Sequence, residues 1–328
     1  MSQPKMSALA ESLIGSEIVK LGNAIRQRIS QGETIYNFTI GDFDPQIFPI
    51  PQALEEEIVQ AYRQHLTSYP VADGEADLRK AVLHFIKEWE GLEYAMDEIQ
   101  IACGGRPLIY AIFKVLVDKG DKVIYAVPSW NNNHYAHMNG AQHCLIQATP
   151  ENNFMPAAAD IAPHLKSATL LCLCTPQNPT GTTFTKEALS EICQLVLDEN
   201  NSRTEGEKKL YVMFDQMYWA LTYGDTEHYN PISLFPEMKP YTIFVDGISK
   251  AFAATGVRVG WSLGPAPVIA KMKAILSHIG AWAPMAEQKA TAKYLLQIDA
   301  IKEYLIHFKA ELELRLRQIY EGIMALKN

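Results

Sequence analysis

The chain has 328 residues, 48% of them hydrophobic, and is long enough to bury a large core in one large domain plus a smaller one. Its 29 Lys and Arg against 37 Asp and Glu give a net charge of −8, which argues against nucleic acid or an anionic membrane surface as a partner. Its five cysteines show no C-x-x-C spacing and no stretch reaches the ~18 apolar residues of a membrane helix, so we expect a cytoplasmic protein with reduced thiols.

Short apolar runs rich in β-forming residues predict strands along the chain. They lie at Ile99–Ala102, Lys122–Val127, Thr169–Cys174, Leu210–Phe214, Tyr241–Val245 and Val259–Leu263. Helical patterns or loops separate most of them, and this alternation favours a mostly parallel sheet covered by helices. The sequence therefore predicts an α/β fold with a three-layer α/β/α large domain.

Helical patterns occur between the predicted strands and at the end of the chain. They lie at Gln52–His65, Glu75–Glu88, Pro107–Val117, Lys186–Leu197 and, as one long amphipathic helix, from about Ile301 to Leu326. Glu311 with Arg315 and Glu313 with Arg317 have the spacing of ion pairs on that helix. The polar segment 200–208 predicts a surface loop.

We divide the chain into three parts. Residues 1–48 are an N-terminal segment that belongs to a small domain, residues 49–298 form the large domain, and residues 299–328 hold a linking helix and the start of a C-terminal small domain. Because the chain stops just after the long helix, we expect that a further segment is missing.

Two groups in the first half of the chain are candidates for a binding site. Gly104, Gly105 and Arg106 lie between a predicted strand and a helix, where backbone N–H groups bind phosphate. Trp130 follows another predicted strand and is either a stacking surface for an aromatic cofactor or a core residue. His134 and His137 have metal-ligand spacing without a third ligand nearby, so we expect a helix face and no metal site.

Polar side chains follow two later strands. Asn178, in Asn-Pro-Thr-Gly, comes after the run that ends at Cys174, and Asp215 with Tyr218 comes after Leu210–Phe214. In open α/β folds the carboxyl ends of the strands carry the ligand site. A buried carboxylate there can pair with a protonated pyridine nitrogen, and Asn and Tyr can contact a ring hydroxyl. The alternatives are an ordinary turn, an Asp that caps a helix and a Tyr that packs on the sheet.

Lys250 is the most informative residue of the chain. It lies among small residues in the segment 247–258, with Arg258 eight positions later. A lysine that forms a Schiff base must be partly desolvated to lose its proton, and an arginine can grip a phosphate through two parallel hydrogen bonds. The alternative is a surface lysine and arginine that flank a loop.

In this order, the segments from about residue 12 to residue 328 resemble the fold-type I, class I and II aminotransferases that depend on pyridoxal 5'-phosphate (PLP), a family that includes aspartate aminotransferases. The resemblance implies transfer of an α-amino group from an amino acid to a 2-oxo acid through a lysine Schiff base and pyridoxamine phosphate. It implies that Lys250 is that lysine and acts as general base and acid, that Arg258 binds the phosphate, and that Asp215 pairs with the pyridine nitrogen.

The resemblance also implies roles for the other candidates. Asn178 and Tyr218 would contact the ring hydroxyl and Trp130 would stack on the ring, while Gly105, Arg106 and Ser249 would bind the phosphate. Gly41, with Trp130 and Asn178, would lie near the substrate. Tyr69 would reach the phosphate of a neighbouring subunit, which implies a homodimer with shared active sites.

Three departures from the family pattern stand out. Gln216 occupies a position where relatives usually carry an acid, which we expect to be tolerated, and Gly247 stands where some relatives have a phosphate-binding serine. The small-domain arginine that pairs with the substrate α-carboxylate in the family would lie beyond Asn328, so we expect a partial chain or a truncated relative. The alternative functions are a PLP-dependent lyase or decarboxylase and a non-catalytic PLP-binding protein.

Overall fold

The computed structural model describes residues 5–15 and 17–326, apart from the side chains of residues 17 and 18. The chain divides into two compact units, Met1–Ile47 and Phe48–Asn328. The first unit contains the helices α1 (Ala8–Ser12) and α2 (Glu17–Ser30), followed by a segment without helix or strand. The three-part division made from the sequence stays a prediction, and residues 1–4, 16 and 327–328 of its outer parts lie outside the described residues.

The second unit is built on a seven-stranded sheet. Its strands are β1 Ile99–Ala102, β2 Lys122–Val127, β3 Gln142–Gln147, β4 Ala168–Cys174, β5 Tyr211–Asp215, β6 Thr242–Gly247 and β7 Gly260–Leu263, in the order β1-β7-β6-β5-β4-β2-β3. Strands β2 to β6 pair in parallel, whereas β7 is antiparallel to both of its neighbours. The mostly parallel sheet predicted from the sequence is confirmed.

Helices cover both faces of this sheet. They are α3 Gln52–Arg63, α4 Ala76–Glu90, α5 Gly105–Leu116, α6 Asn132–Asn139, α7 Ala158–Ile161, α8 Lys186–Ser202, α9 Pro231–Leu234, α10 Ile248–Ala251, α11 Ala266–Ile279, α12 Met285–Leu295 and α13 Ile298–Ala325. Because side chains alternate along a strand, Met213 joins the core under α5 and α11, whereas its neighbour Phe214 packs edge-on against Phe244 on the other face. That second face holds Phe85 of α4, which confirms the three-layer arrangement.

The predicted strands are confirmed to within two residues, and β3 was missed. The sequence Gln-His-Cys-Leu-Ile-Gln of β3 buries only Ile146, as an edge strand does, so it lacks the apolar run that identified the others. Helix α8 runs five residues past its predicted end because Asn200 is buried and both donates to the backbone oxygen of Leu210 and accepts from its nitrogen. The first residues of the predicted loop 200–208 are therefore helical.

The long final helix is confirmed as α13, with 28 residues. Ile301, Leu305 and Phe308 are buried, whereas later apolar residues such as Ile319 are exposed. Both predicted ion pairs, Glu311 with Arg315 and Glu313 with Arg317, are present. Among residues 5–15 and 17–326, no helix combines the length and the apolar character that crossing a membrane requires.

Candidate functional site

The predicted polar residues of the second unit gather at one edge of the sheet. Because β1 and β6 both run antiparallel to β7, the strands β1, β2, β4, β5 and β6 all end at this edge and β7 begins there. Residues that follow those ends, or precede β7, therefore converge there from segments that are distant in the sequence.

Asp215 is the last residue of β5. Its Oδ1 accepts a hydrogen bond from the backbone nitrogen of Met217 at 3.1 Å, so it closes a turn and does not cap a helix. Burial raises the pKa of Asp215 to about 6, although the Met217 hydrogen bond opposes the shift. Within the described part of the chain no ion pair reaches this carboxyl group, and a cation placed beside it would be strongly favoured.

Asn178 and Tyr218 meet across 40 positions of sequence. The Nδ2 atom of Asn178, in the loop after β4, donates to the Tyr218 hydroxyl at 3.1 Å. Burial, followed by the nearby Asp215 and Cys174, raises the pKa of Tyr218 to about 12, so its hydroxyl stays protonated at neutral pH. The Tyr218 ring lies 5.8 Å from Lys250 Nζ, which places the amine beside this pair.

Lys250 belongs to α10, the short helix that follows β6. It is half-buried, and its neighbours Ser249 and Ala251 are only 7% and 1% exposed. Before α10 the chain passes through Gly247, which pairs with Gly260 of β7. A Cβ at position 247 would lie 2.7 Å from the Val259 oxygen, so glycine is required here for close strand packing. This accounts for the departure from serine noted in the sequence.

Arg258 lies just before β7, so it reaches the same edge. Its Nη1 donates to the Thr255 oxygen at 2.8 Å and its Nη2 donates to the Cys103 oxygen at 2.9 Å. These contacts hold the guanidinium beside Gly104, directly before the N-terminus of α5, where free backbone N–H groups favour an anion.

Gly104, which the sequence places in the candidate phosphate loop, also packs against Arg258. It has a φ of +93°, and a Cβ there would overlap Arg258 Nη2. We expect Gly104→Ala to lower the free energy of unfolding by about 3 kcal/mol or more, through backbone strain together with displacement of the guanidinium. Chemical denaturation of the purified protein measures this loss.

Gly91→Ala is a comparison for Gly104→Ala. Gly91 also has a positive φ, +68°, but its ψ of 13° places it in the left-handed helical region, whereas Gly104, with a ψ of −179°, has a conformation that almost only glycine adopts. Nothing lies near the missing Cβ of Gly91. We expect a loss of only about 1 kcal/mol from backbone strain alone. Equal losses in the two variants would show that the guanidinium does not press on Gly104.

Trp130 follows β2 at the same edge, and the guanidinium of Arg106 stacks on its ring, 4.8 Å from the centroid. Trp130 is half-buried and also packs against the core under α5, which is one of its two predicted environments, whereas its stacking on a cofactor stays a prediction. His134 and His137 lie on α6. No group of three or more His, Cys, Asp or Glu side chains within residues 5–15 and 17–326 is arranged to hold a metal ion.

Two predicted site residues, Tyr69 and Gly41, remain. Tyr69 is 87% exposed, and its ring meets Trp282 edge-on at 5.6 Å. Gly41 lies in the unit Met1–Ile47, in a stretch without helix or strand. The roles of both residues stay predictions.

The chain matches the family described as aminotransferase class I and II over residues 33–327. An aspartate aminotransferase of Bacillus sp. (strain YM-2) is 27% identical over 319 residues, which span 96% of this chain and 77% of the relative. An aspartate/prephenate aminotransferase of Thermus thermophilus is 28% identical over 301 residues, 90% of this chain and 73% of the relative.

A solved structure gives the same result at the level of the fold. The aspartate aminotransferase from Thermus thermophilus with maleate is similar with a TM-score of 0.91 at 25% identity, over 99% of this chain and 81% of that one. The family match covers most of the chain, and it agrees with the lysine, carboxylate and arginine gathered at the carboxyl edge of the sheet. The chain belongs to the class I and II aminotransferase family and is a PLP-dependent aminotransferase.

Proposed function

We propose that this chain holds PLP at the carboxyl edge of its sheet and there transfers the α-amino group of an acidic amino acid to a 2-oxo acid. The observation that carries the proposal is the convergence of Lys250, Asp215 and the bonded pair Asn178–Tyr218 on one place. The family implies the cofactor.

The polar groups suit the ring of PLP. The raised pKa of the buried Asp215 carboxyl group shows that its ionised form lacks stabilisation, which a neighbouring cation would supply. A protonated pyridine nitrogen is such a cation. Asn178 and Tyr218 present an amide N–H and a hydroxyl to the place where a ring oxygen would lie. Trp130 offers an aromatic face at the same edge.

A phosphate group fits beside Arg258. The guanidinium lies next to the start of α5, where the backbone N–H groups of Gly105 and Arg106 lack helical partners. Ser249 is a neighbour in sequence of Lys250 and adds a hydroxyl in the proposal. Charge-assisted hydrogen bonds from several such donors are the usual way to hold a phosphate.

PLP, when bound, draws electrons away from the α-carbon of the substrate and so makes the proton on that carbon removable. In the proposal Lys250 Nζ takes this proton and later returns it, because an amine beside the proposed ring contacts is placed to act as general base and acid. Asp215 stays ionised against the ring nitrogen. Asn178 and Tyr218 hold the ring in one orientation through its oxygen.

The names of the relatives support an acidic donor. One relative is named an aspartate aminotransferase and another an aspartate/prephenate aminotransferase. The similar solved structure is described with maleate, which is a dicarboxylate. In this chain the exposed guanidinium of Arg106 adds positive charge beside Trp130. We propose aspartate as the amino donor.

Shared active sites in a homodimer are part of the same proposal. The 87% exposure of Tyr69 supports it, because a side chain that serves a neighbouring subunit must point outwards from its own. Sedimentation equilibrium with the PLP-loaded protein tests this point, and a monomer at micromolar concentration would contradict it. The contact of Gly41 with substrate and the cytoplasmic location stay predictions.

The direct test is a half-reaction followed by absorption. We expect aspartate, added to the PLP-loaded chain without an acceptor, to convert the visible band of the bound cofactor into the near-ultraviolet band of pyridoxamine phosphate, with release of one 2-oxo acid per site. Aromatic and branched-chain donors should react at least about tenfold more slowly at equal concentration. Ammonia or CO₂ released without a 2-oxo acid would favour the lyase or decarboxylase alternative, and no visible band would contradict the proposal.

A further inference from the structure

A buried polar cluster lies behind the proposed site, on the other face of the sheet. We call it the Glu90 cluster and define it as Glu90, Gln216, His228, Asn230 and Asp246. Asp215 and Val245 are paired in β5 and β6, so the next residues, Gln216 and Asp246, point to the opposite face, towards α4. The cluster is thus separated from Asp215 by the thickness of one sheet.

Gln216 is the centre of the cluster. It is 1% exposed, its Nε2 donates to Glu90 Oε1 at 2.7 Å, and its Oε1 lies 3.3 Å from His228 Nε2. Its backbone nitrogen donates to the Val245 oxygen at 3.1 Å. The residue directly after Asp215 is therefore fixed both to β6 and to the end of α4, and Gln216 holds the turn that carries Asp215.

The cluster contains two carboxyl groups. Glu90 accepts from the amides of Gln216 and Asn230, at 2.7 and 3.2 Å. Asp246 is 1% exposed, accepts from the Gly247 nitrogen through Oδ1, and leaves its buried Oδ2 without a hydrogen-bond partner. A buried carboxylate with so few hydrogen bonds is unfavourable, so Asp246 favours its protonated form, and Glu90, which accepts from two amides, is the carboxyl group that ionises more readily.

The titration of these groups agrees with the geometry. Burial, followed by the nearby Glu90 and Asp215, holds the pKa of Asp246 well above its usual range. Burial raises the pKa of Glu90 to about 7, although the hydrogen bonds from the two amides oppose this shift. Burial lowers the pKa of His228 to about 4, so the imidazole is neutral. Tyr94 is the other titratable group near Glu90, and burial raises its pKa.

We propose that Gln216 is a positioning residue for Asp215, and that its side chain must stay uncharged because Glu90 and Asp246 already occupy the same buried cluster. A third carboxylate here would add a negative charge behind Asp215 and disfavour its ionised form. The proposal rests on the proposed role of Asp215. It goes beyond the expectation from the sequence, which was only that an amide at position 216 is tolerated.

The experiment replaces the amide by the acid with almost no change in shape. In the cofactor-free protein at pH 8 we expect Gln216→Glu to lower the Tm by about 5 °C or more, and by less at pH 5.5, where the new acid is protonated. The Kd for PLP should rise about tenfold at pH 8 and less at pH 5.5. A defect of shape alone would weaken PLP binding equally at both pH values.

Two further variants keep the test decisive. Glu90→Gln removes the carboxylate that lies against Gln216, so the double variant Gln216→Glu with Glu90→Gln exchanges the amide and the acid and keeps two carboxyl groups in the cluster. It should regain at least half of the lost Tm and PLP affinity, even if the single variant folds poorly. Gln194→Glu is the matched control, because Gln194 is exposed on α8 and donates to Asp198 at 2.8 Å. The same amide-to-acid substitution at this solvent-exposed position should leave Tm and Kd unaltered.

Three results would overturn the proposal. Wild-type Tm and Kd in Gln216→Glu would show that the cluster accepts a third acid, and a double variant no better than the single one would show that charge is not the cause. A lowered Tm with unchanged PLP affinity would separate the cluster from Asp215. If the wild-type chain itself binds no PLP, the proposed function fails, whereas the Tm comparison still decides whether the cluster excludes a third acid.

Discussion

Replacing Lys250 by alanine should lower kcat for transamination by at least about 10⁴-fold, because no other amine takes its place as the base that moves the substrate proton. Lys250 Nζ lies beside the Tyr218 ring at the carboxyl edge, where the other proposed cofactor contacts converge. Arg258 and the start of α5 are untouched, so the variant should still bind PLP. Steady-state rates with aspartate, together with PLP titration, measure both effects.

Two controls accompany the Lys250→Ala variant. Lys250→Arg keeps the positive charge but offers a group that does not lose its proton, so it should be as inactive as the alanine variant. Lys80→Ala removes an exposed lysine of α4 and should leave the rate within about twofold of wild type. Retention of more than about 1% of the wild-type rate in Lys250→Ala would contradict the assigned role.

The second large effect is expected from Asp215→Asn, which should lower kcat by at least about 10³-fold and stabilise the cofactor-free protein at pH 8. The uncharged amide has no salt bridge to offer the ring nitrogen, so the electron-withdrawing form of the ring is lost. The same change removes a buried carboxylate whose pKa is raised to about 6. Function and stability should therefore move in opposite directions.

The sign of the pH dependence follows from that raised pKa. Between pH 3.8, the ordinary pKa of Asp, and about pH 6, the Asp215 carboxyl group is more protonated in the native protein than in the unfolded chain. Stability from Asp215 is therefore present at low pH and is lost as the pH rises through 6. We expect Asp215→Asn to melt a few degrees above wild type at pH 8, with the gap closing towards pH 5.

Thermal unfolding of the two proteins over this pH range checks the prediction. PLP should raise the Tm of wild type more than that of Asp215→Asn, because only the carboxylate gains a cationic partner. Asp215 also contributes to the raised pKa of Asp246, so the loss of the charge at position 215 relieves that carboxyl group as well and acts in the same direction. A Tm for Asp215→Asn at or below that of wild type at pH 8 would mean that the ionised carboxyl group does not destabilise the cofactor-free protein.

The parts predicted well from the sequence are those that local pattern determines. Apolar runs located β2 and β4. Polar residues that directly follow such a run, as Asp215 does, identified the edge of the sheet where the site lies. Strand direction has no such signature, so the antiparallel β7 was not foreseen. The edge strand β3 lacks a continuous apolar run and was missed for that reason.

The site features that the sequence did not explain depend on contacts between distant segments. Gly104 must be glycine because its φ is +93° and because Arg258, 154 positions later, fills the space of its Cβ, whereas the local signal was only the Gly-Gly pair at the start of α5. Gln216 was expected only to be tolerated in place of an acid, since nothing near it in the sequence shows that Glu90 lies against its amide. Buried partners of this kind become visible only once the chain is folded.

The most direct measurement of the central claim is reduction of the PLP-loaded protein with borohydride, followed by proteolysis and mass spectrometry of the labelled peptide. The account predicts one phosphopyridoxyl group per chain, on Lys250, and no labelled peptide from Lys250→Arg. Label on any other lysine, or loss of the visible band without a modified peptide, would contradict it.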